Sequence, residues 1–463
     1  MGVIVRSRNK RIRGENNFSG GINTGLDPFG IGENQSTYEM GWDTDNHPFL
    51  ATPKGRTAHG SSGGGVTNLL TAFGNTHLLR AVGTSLQYNS SGTTWTTISG
   101  TFANTDWDAT NFEVNGAPAL VLVNGTDAPR VWNGSSLSTL GGNPPVGKYI
   151  TNDTVRLWMA KDDILHFSAA LDAEDWTSAE NSGFIQYYTE RGGNITGLKN
   201  FYGDKYVWKR DSMAVIQGTN YYNFQLKEIS NDVGCVSFKT IQEVGDALFW
   251  LGERDVYMFQ GGFPTPIGDP IRGYLNRINR AQIGKCCAIT DGIKYYLCLV
   301  LDSATEPNIR LVYDPRYRIW RVCASNENYR YSVLFNNQAY VGNSSGQVYR
   351  FNDGSFTGSW EIITRPFDEG IGEAEKEYKE LHLQGYFPSG TTVQVYYSTD
   401  DRGSNWTQIE FNPATATVAQ NKNMIIPLDT IPLTHWIRFR LTGTGPVTIY
   451  NMQRYFRVCR VQH

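Results

Sequence analysis

The chain has 463 residues, a net charge of -3 and only 18% charged residues, with 49 Gly, 25 Tyr, 22 Phe and 12 Trp. That length exceeds what one hydrophobic core usually supports, and a composition so rich in glycine and aromatics predicts short strands and tight turns rather than helices. No apolar run approaches the roughly 18 residues of a membrane span, and Arg6 follows Met1–Val5 too early for a secretory signal, so membrane insertion is not expected and synthesis in a cytoplasm is.

The N-terminus carries a basic arm: Arg6, Arg8, Lys10, Arg11 and Arg13 place five positive charges and no acid in the first thirteen residues. Subtracting those five from the net -3 leaves -8 on the remainder. The body of the chain therefore predicts no general nucleic-acid surface, whereas the arm is a candidate contact for an acidic partner or for DNA phosphates. From Asn16 to Arg56 the sequence is rich in Gly, Asn and Asp, with apolar anchors at Phe18, Leu26, Phe29, Tyr38, Trp42 and Leu50. Such a segment is expected to drape over a domain and add an edge strand, and residues 1–65 are read as an arm and drape able to close a ring of sheets.

From residue 66 a hairpin unit recurs. Its clearest copy is Asp246–Ile267, where Ala247–Leu251 is a buried apolar strand, Gly252–Asp255 a turn, and Val256–Gln260 a second, alternating strand. Comparable pairs are His77–Val82 with Ser85–Tyr88, Ala119–Val123 with Pro129–Trp132, Val155–Ala160 with Ile164–Phe167, Lys205–Trp208 with Ser212–Ile216, Tyr295–Val300 with Ile309–Tyr313, and Gln338–Gly342 with Gln347–Phe351. A spacing of roughly forty residues built on period-2 alternation is the signature of a β-propeller, here residues 66–355 with seven blades, or six as the alternative. One stretch departs from it: Ile271–Ile283 spaces Ile271, Tyr274, Leu275, Ile278 and Ile283 helically after Pro270, which predicts a short amphipathic helix with Arg272, Arg277 and Arg280 on its wet face. Beyond Asp353 about seven longer strands, Ser359–Thr364 to Val447–Val458, predict a C-terminal β-sandwich over residues 356–463. The fold class expected is all-β.

Chemical motifs are sparse. The seven histidines are scattered, the six cysteines (Cys235, Cys286, Cys287, Cys298, Cys323 and Cys459) lack paired metal-ligand spacing, and no phosphate loop, nucleophile elbow or dinucleotide fingerprint occurs. No cofactor or metal is expected. The acidic doublets Asp162-Asp163, Glu174-Asp175 and Asp400-Asp401 lie in turn sequences, where such side chains ordinarily bond local backbone, so catalysis is not expected. Asn-x-Ser/Thr triplets recur, among them Asn124, Asn133 and Asn343, and most fall at turns.

Several short stretches resemble β-propeller proteins of bacteriophage tails, the packaged-DNA stabilisation proteins that close the tail hub and related minor tail proteins. They are Phe18–Asn23 with Leu26–Pro28, His166–Ser168 followed by Asp172–Trp176, Ile271–Ile278 before Tyr295-Tyr296, and Leu311–Asp314 with Trp320 and Gly346–Tyr349. The resemblance implies a structural virion protein of the tail, assembled in the host cytoplasm. Its implied partners are further copies of itself in a hexameric ring, neighbouring tail proteins and packaged DNA. It carries over no catalytic residue. Three other readings stand beside it: a sialidase-like glycoside hydrolase, a glycan-binding propeller and a receptor-binding protein of the tail tip.

Overall fold

A computed structural model describes residues 4–6, 12–90, 92–400, 405–411 and 415–461. Strand makes up 48% of the chain and helix 4%.

Residues 67–351 form a succession of four-stranded antiparallel meanders, an arrangement consistent with a propeller. The first comprises Thr67–Phe73, His77–Val82, Ser85–Asn89 and Thr96–Ile98; five more follow in chain order over residues 108–139, 149–186, 197–230, 242–266 and 287–325. In the seventh, Tyr329–Phe335, Gln338–Asn343 and Val348–Phe351 take their fourth strand from Arg56–Ala58, with Tyr349 opposite Ala58. Local sequence dictates the hairpins. Asn115-Gly116 and Asn336-Asn337 both hold two successive residues at positive φ, the backbone a two-residue turn needs to match strand twist.

The cores lie between neighbouring sheets rather than inside any one. Val121 and Val123 of the second sheet pack with Leu157 and Met159 of the third. Trp208 of the fourth meets Trp250 of the fifth edge to face, their rings 5.5 Å apart. Tyr331, Tyr340 and Val348 of the seventh share a cluster with Leu69 and Leu79 of the first, which joins the end of the series to its beginning. Four strands alternating large apolar side chains on both faces can bury them only against another such sheet, so each sheet depends on its neighbours.

Two larger sheets complete the molecule. Thr448–Val461 lies at the centre of a six-stranded sheet, pairing with Glu375–Phe387 and with Ile4–Arg6, Ile12–Asn16 and Leu50–Ala51 of the N-terminal segment; Glu375–Phe387 also pairs with Gln420–Pro427. A five-stranded sheet runs in the order Ser36–Met40, Ser359–Thr364, Arg438–Thr444, Thr392–Ser398, Thr407–Ile409. Both contribute to one core that includes Phe18, Trp42, Trp360, Leu383, Phe439 and Ile449.

The helix expected over Ile271–Ile283 is broken. Only Arg272–Leu275 is α-helical, between a 3-10 turn at Asp269–Ile271 and another at Arg280–Lys285. The backbone leaves the helix because its polar groups are taken by the neighbouring sheet: Asn279 N donates to Val300 O at 2.9 Å and Asp302 N to Arg277 O at 2.8 Å, while Asn279 Oδ1 starts the next turn by accepting from Ala281 N. The expected burial pattern survives without the helix. Ile271, Tyr274, Leu275, Ile278 and Ile283 are buried, while Arg277 and Arg280 keep about half their side-chain surface exposed and Arg272 about a third, all three beside carboxylates.

Candidate functional site

Several ionisable groups meet where the first strands of neighbouring small sheets pack together. Residues of the first, second, fourth, fifth and seventh sheets line a cavity of about 170 Å³, with Trp107, Asp108, Lys199, Phe238, Lys239 and Tyr331 on its wall. Asp108 opens the second sheet and its carboxylate accepts from Ala109 N and Ile150 N, both at 2.9 Å. Burial pushes this carboxyl up to about 6, against the opposing pull of those two hydrogen bonds and of Lys199.

Asp106, two residues earlier, behaves oppositely. Burial would raise it, but Lys239 Nζ at 2.7 Å and Arg330 Nη2 at 3.2 Å hold it below the ordinary carboxylate range. Burial in turn lowers the Lys239 ammonium, and Asp106 only partly restores it. Arg330 also meets Glu306 at 3.2 Å, and Tyr331 donates from its hydroxyl to Trp107 O at 3.1 Å. The arrangement ties the second, sixth and seventh sheets together. At about 170 Å³ the space is below the 300–1,000 Å³ usual for a ligand pocket.

Two further buried cations are paired with carboxylates. Lys294 Nζ lies 2.6 Å from both Asp43 and Asp45; burial alone would lower the ammonium, and the two carboxylates reverse this and raise it. Arg454 pairs with Glu369 at 2.7 Å inside the C-terminal unit. Among the described residues there is no group of three or more His, Cys, Asp or Glu placed to hold a metal ion, and no helix is long and apolar enough to cross a membrane.

Of the acidic doublets, Asp175 bonds neighbouring backbone as a turn sequence predicts, whereas Asp163 and Glu174 reach segments 23 and 33 residues away. Asp163 accepts from Gln186 Nε2 at 3.0 Å, Glu174 from Gly141 N at 2.8 Å, and Asp175 from Ser178 N at 2.9 Å and from the Ser178 hydroxyl. Asp400 accepts from Asn405 Nδ2 at 3.1 Å, and Asp401 lies outside the described residues. The glycosylation-like asparagines cap turns: Asn133 Oδ1 accepts from Ser135 N and Ser136 N, and Asn343 Oδ1 from Ser345 N and Gln347 N. All six cysteines are buried, and none is in a disulfide.

Of the arm, Arg8, Lys10 and Arg11 lie outside the described residues, as do the side chains of Arg6 and Arg13; the backbone of Arg6 pairs with Cys459 and that of Arg13 with Tyr455. What the sequence does not disclose is the exposed apolar surface of the third and fourth sheets. Leu171 is 83% exposed, Tyr188 and Tyr202 76%, Tyr222 73% and Phe184 66%. Tyr221 and Tyr222 meet edge to face at 5.5 Å in the last loop of the fourth sheet. Aromatics are so frequent in this chain that composition could not single out the exposed ones.

No protein-family model matches the sequence, and no curated protein does. Among solved structures, the extracellular domain of a one-component system from B. thetaiotaomicron is similar at TM-score 0.44 and 11% identity, over 79% of this chain and 49% of that one. The chain thus spans about half the length of that neighbour. A streptogramin B lyase matches at TM-score 0.45 and 9% identity, covering 64% of this chain and 97% of the lyase, and BamB from Moraxella catarrhalis at 0.40 and 9%, covering 68% and 97%.

Proposed function

We propose that this chain is a structural, non-catalytic protein of a bacteriophage tail, acting through the surfaces it offers to copies of itself and to neighbouring tail proteins. In this reading the seven four-stranded sheets are the seven blades of a closed propeller over residues 66–355, and the two larger sheets are the leaves of a β-sandwich over residues 356–463. Residues 1–65 lend strands to both. The protein belongs in the virion tail as a hexameric ring about the tail axis, with the basic arm facing an acidic neighbour or packaged DNA.

One observation carries the reading. Asp106–Lys239, Lys294–Asp43 and Arg454–Glu369 tie charged side chains to one another inside the molecule, whereas Leu171, Tyr188, Tyr202 and Tyr222 stand in solvent in the loops of the third and fourth sheets. Exposed apolar side chains of this size suit contact with other proteins. The exposed Tyr188, Tyr202 and Tyr222 equally suit stacking on sugar rings, which favours glycan binding at the tail tip as a second reading.

Electron microscopy of native particles with an antibody against the chain tests the proposal. Label at the tail, with rings of the chain in tail preparations, is expected; a chain absent from particles, monomeric at all concentrations and turning over a glycoside would overturn it. Binding on a glycan array with no ring would select the second reading.

A further inference from the structure

A cleft of about 470 Å³ opens where the sixth and seventh small sheets meet the C-terminal unit. Its wall is drawn from three separate stretches: Lys54 and Arg56 before and within the strand that completes the seventh sheet, Ser325 at the end of the last strand of the sixth with Glu327 just after it, and Thr357 in the connection to the C-terminal unit. Arg310, on the third strand of the sixth sheet, forms its floor.

Charge in this cleft does not balance. Glu327 is the only acidic side chain on its wall and is shared by two guanidinium groups, Arg310 Nη1 at 2.8 Å and Arg56 Nη1 at 3.3 Å. Lys54 adds a third, exposed cation. Arg310 is 4% exposed and its Nε has no hydrogen-bond partner among the described residues, a costly condition for a buried donor. Both guanidinium groups are preset by stacking: Arg310 lies 4.8 Å from the Phe351 ring centre, and Arg56 lies 4.5 Å from that of Tyr349 while donating to the Tyr329 hydroxyl at 2.5 Å. Two oriented guanidinium groups, a surplus of positive charge and neighbouring hydroxyls in a space of ordinary ligand size form a receptor for an oxyanion.

We propose that this cleft binds the phosphate or carboxylate group of a small molecule, held by Arg56 and Arg310 with Lys54 at the mouth, and with Ser325 and Thr357 available to the ligand's remaining polar atoms. The site is independent of any role in a tail. Glu327 competes with the ligand for both arginines, so its charge sets the affinity.

Calorimetric titration of the full chain with inorganic phosphate, and separately with acetate, at constant ionic strength tests this and distinguishes the two anion geometries. Saturable binding of at least one anion is expected, weakened about tenfold in Arg56→Ala, since a hydrogen bond to a charged group contributes roughly that factor. Glu327→Gln should instead tighten binding severalfold, an effect that a merely structural ion pair would not produce. Arg56→Gln replaces Arg56→Ala if the latter fails to fold, each variant being checked by its circular dichroism. Absence of saturable binding for both anions, equal affinity in the Arg56 variant, or unchanged or weaker affinity in Glu327→Gln would overturn the proposal.

Discussion

Asp108 shows how a single buried side chain makes stability depend on pH. Its carboxyl is raised by burial to about 6 from an ordinary value near 4, so between those values the folded chain holds a proton that the unfolded chain has released. Stability from this group is therefore fully present below about pH 4 and falls as pH rises to about 6, where the folded group ionises. A two-unit shift corresponds to about 3 kcal/mol, an upper bound because the cavity beside it admits solvent. We expect Asp108→Asn to gain stability relative to the parent by about 2 kcal/mol between pH 4.5 and 7.5, measured by urea unfolding at each pH. A difference that does not vary with pH would show that Asp108 titrates normally.

At the scale of elements, the N-terminal segment is a hinge of stability between the two parts of the molecule. Ser36–Met40 pairs with Ser359–Thr364 of the C-terminal unit, while its Glu39 accepts from Arg321 Nη1 of the sixth small sheet at 2.7 Å. Both side chains are fully buried. Burial raises the Glu39 carboxyl more than Arg321 and Ser36 lower it, so the pair sits where desolvation nearly consumes the Coulomb gain. Arg321→Met, which leaves Glu39 buried without its cation, should cost about 3–5 kcal/mol, and the double change Arg321→Met with Glu39→Leu should recover most of it. Urea midpoints of the two variants and the parent measure this, and equal losses in the single and double variants would refute it. Trp42 strengthens the same junction: it packs on Trp360 in the C-terminal core while its backbone N–H donates to Val322 O of the sixth sheet at 3.0 Å.

For the whole molecule, the decisive property is where uncompensated charge remains. The remainder of the chain is near -8 once the arm's five charges are set aside, so it would repel duplex DNA beyond the arm. A protein neighbour is accordingly the favoured partner. Replacing Arg8, Lys10 and Arg11 by Gln avoids the strands Ile4–Arg6 and Ile12–Asn16 and should leave the fold intact. Ring assembly, followed by native mass spectrometry, should weaken by roughly 1–3 kcal/mol per subunit, as expected for three exposed ion pairs. If DNA is the partner, the variant's binding should lose salt dependence by about 0.9 in slope per phosphate contact removed. Unchanged assembly, genome retention and infectivity would show the arm to be a solvated tail.

The sequence by itself determined the all-β character and the hairpins, because both are local. Alternation in Ala247–Leu251 and Val256–Phe259, and Asn or Gly at positive-φ turns, act over two to ten residues, and the paired strands appear where the alternation placed them. The same locality explains Asp175 and the asparagines Asn133 and Asn343, whose side chains bond backbone within a few residues. The broken helix at Ile271–Ile283 marks where local reasoning ended: its apolar spacing was right about burial, but carbonyls and amides of the residue 300–302 loop competed for its backbone. Tertiary structure alone decided the charged clusters. Asp106 meets Lys239 and Arg330 across 133 and 224 residues, and Arg56 meets Glu327 across 271, separations at which no spacing rule operates. Each partner on its own is an ordinary polar residue, and only the closure of one sheet upon another makes it a buried pair.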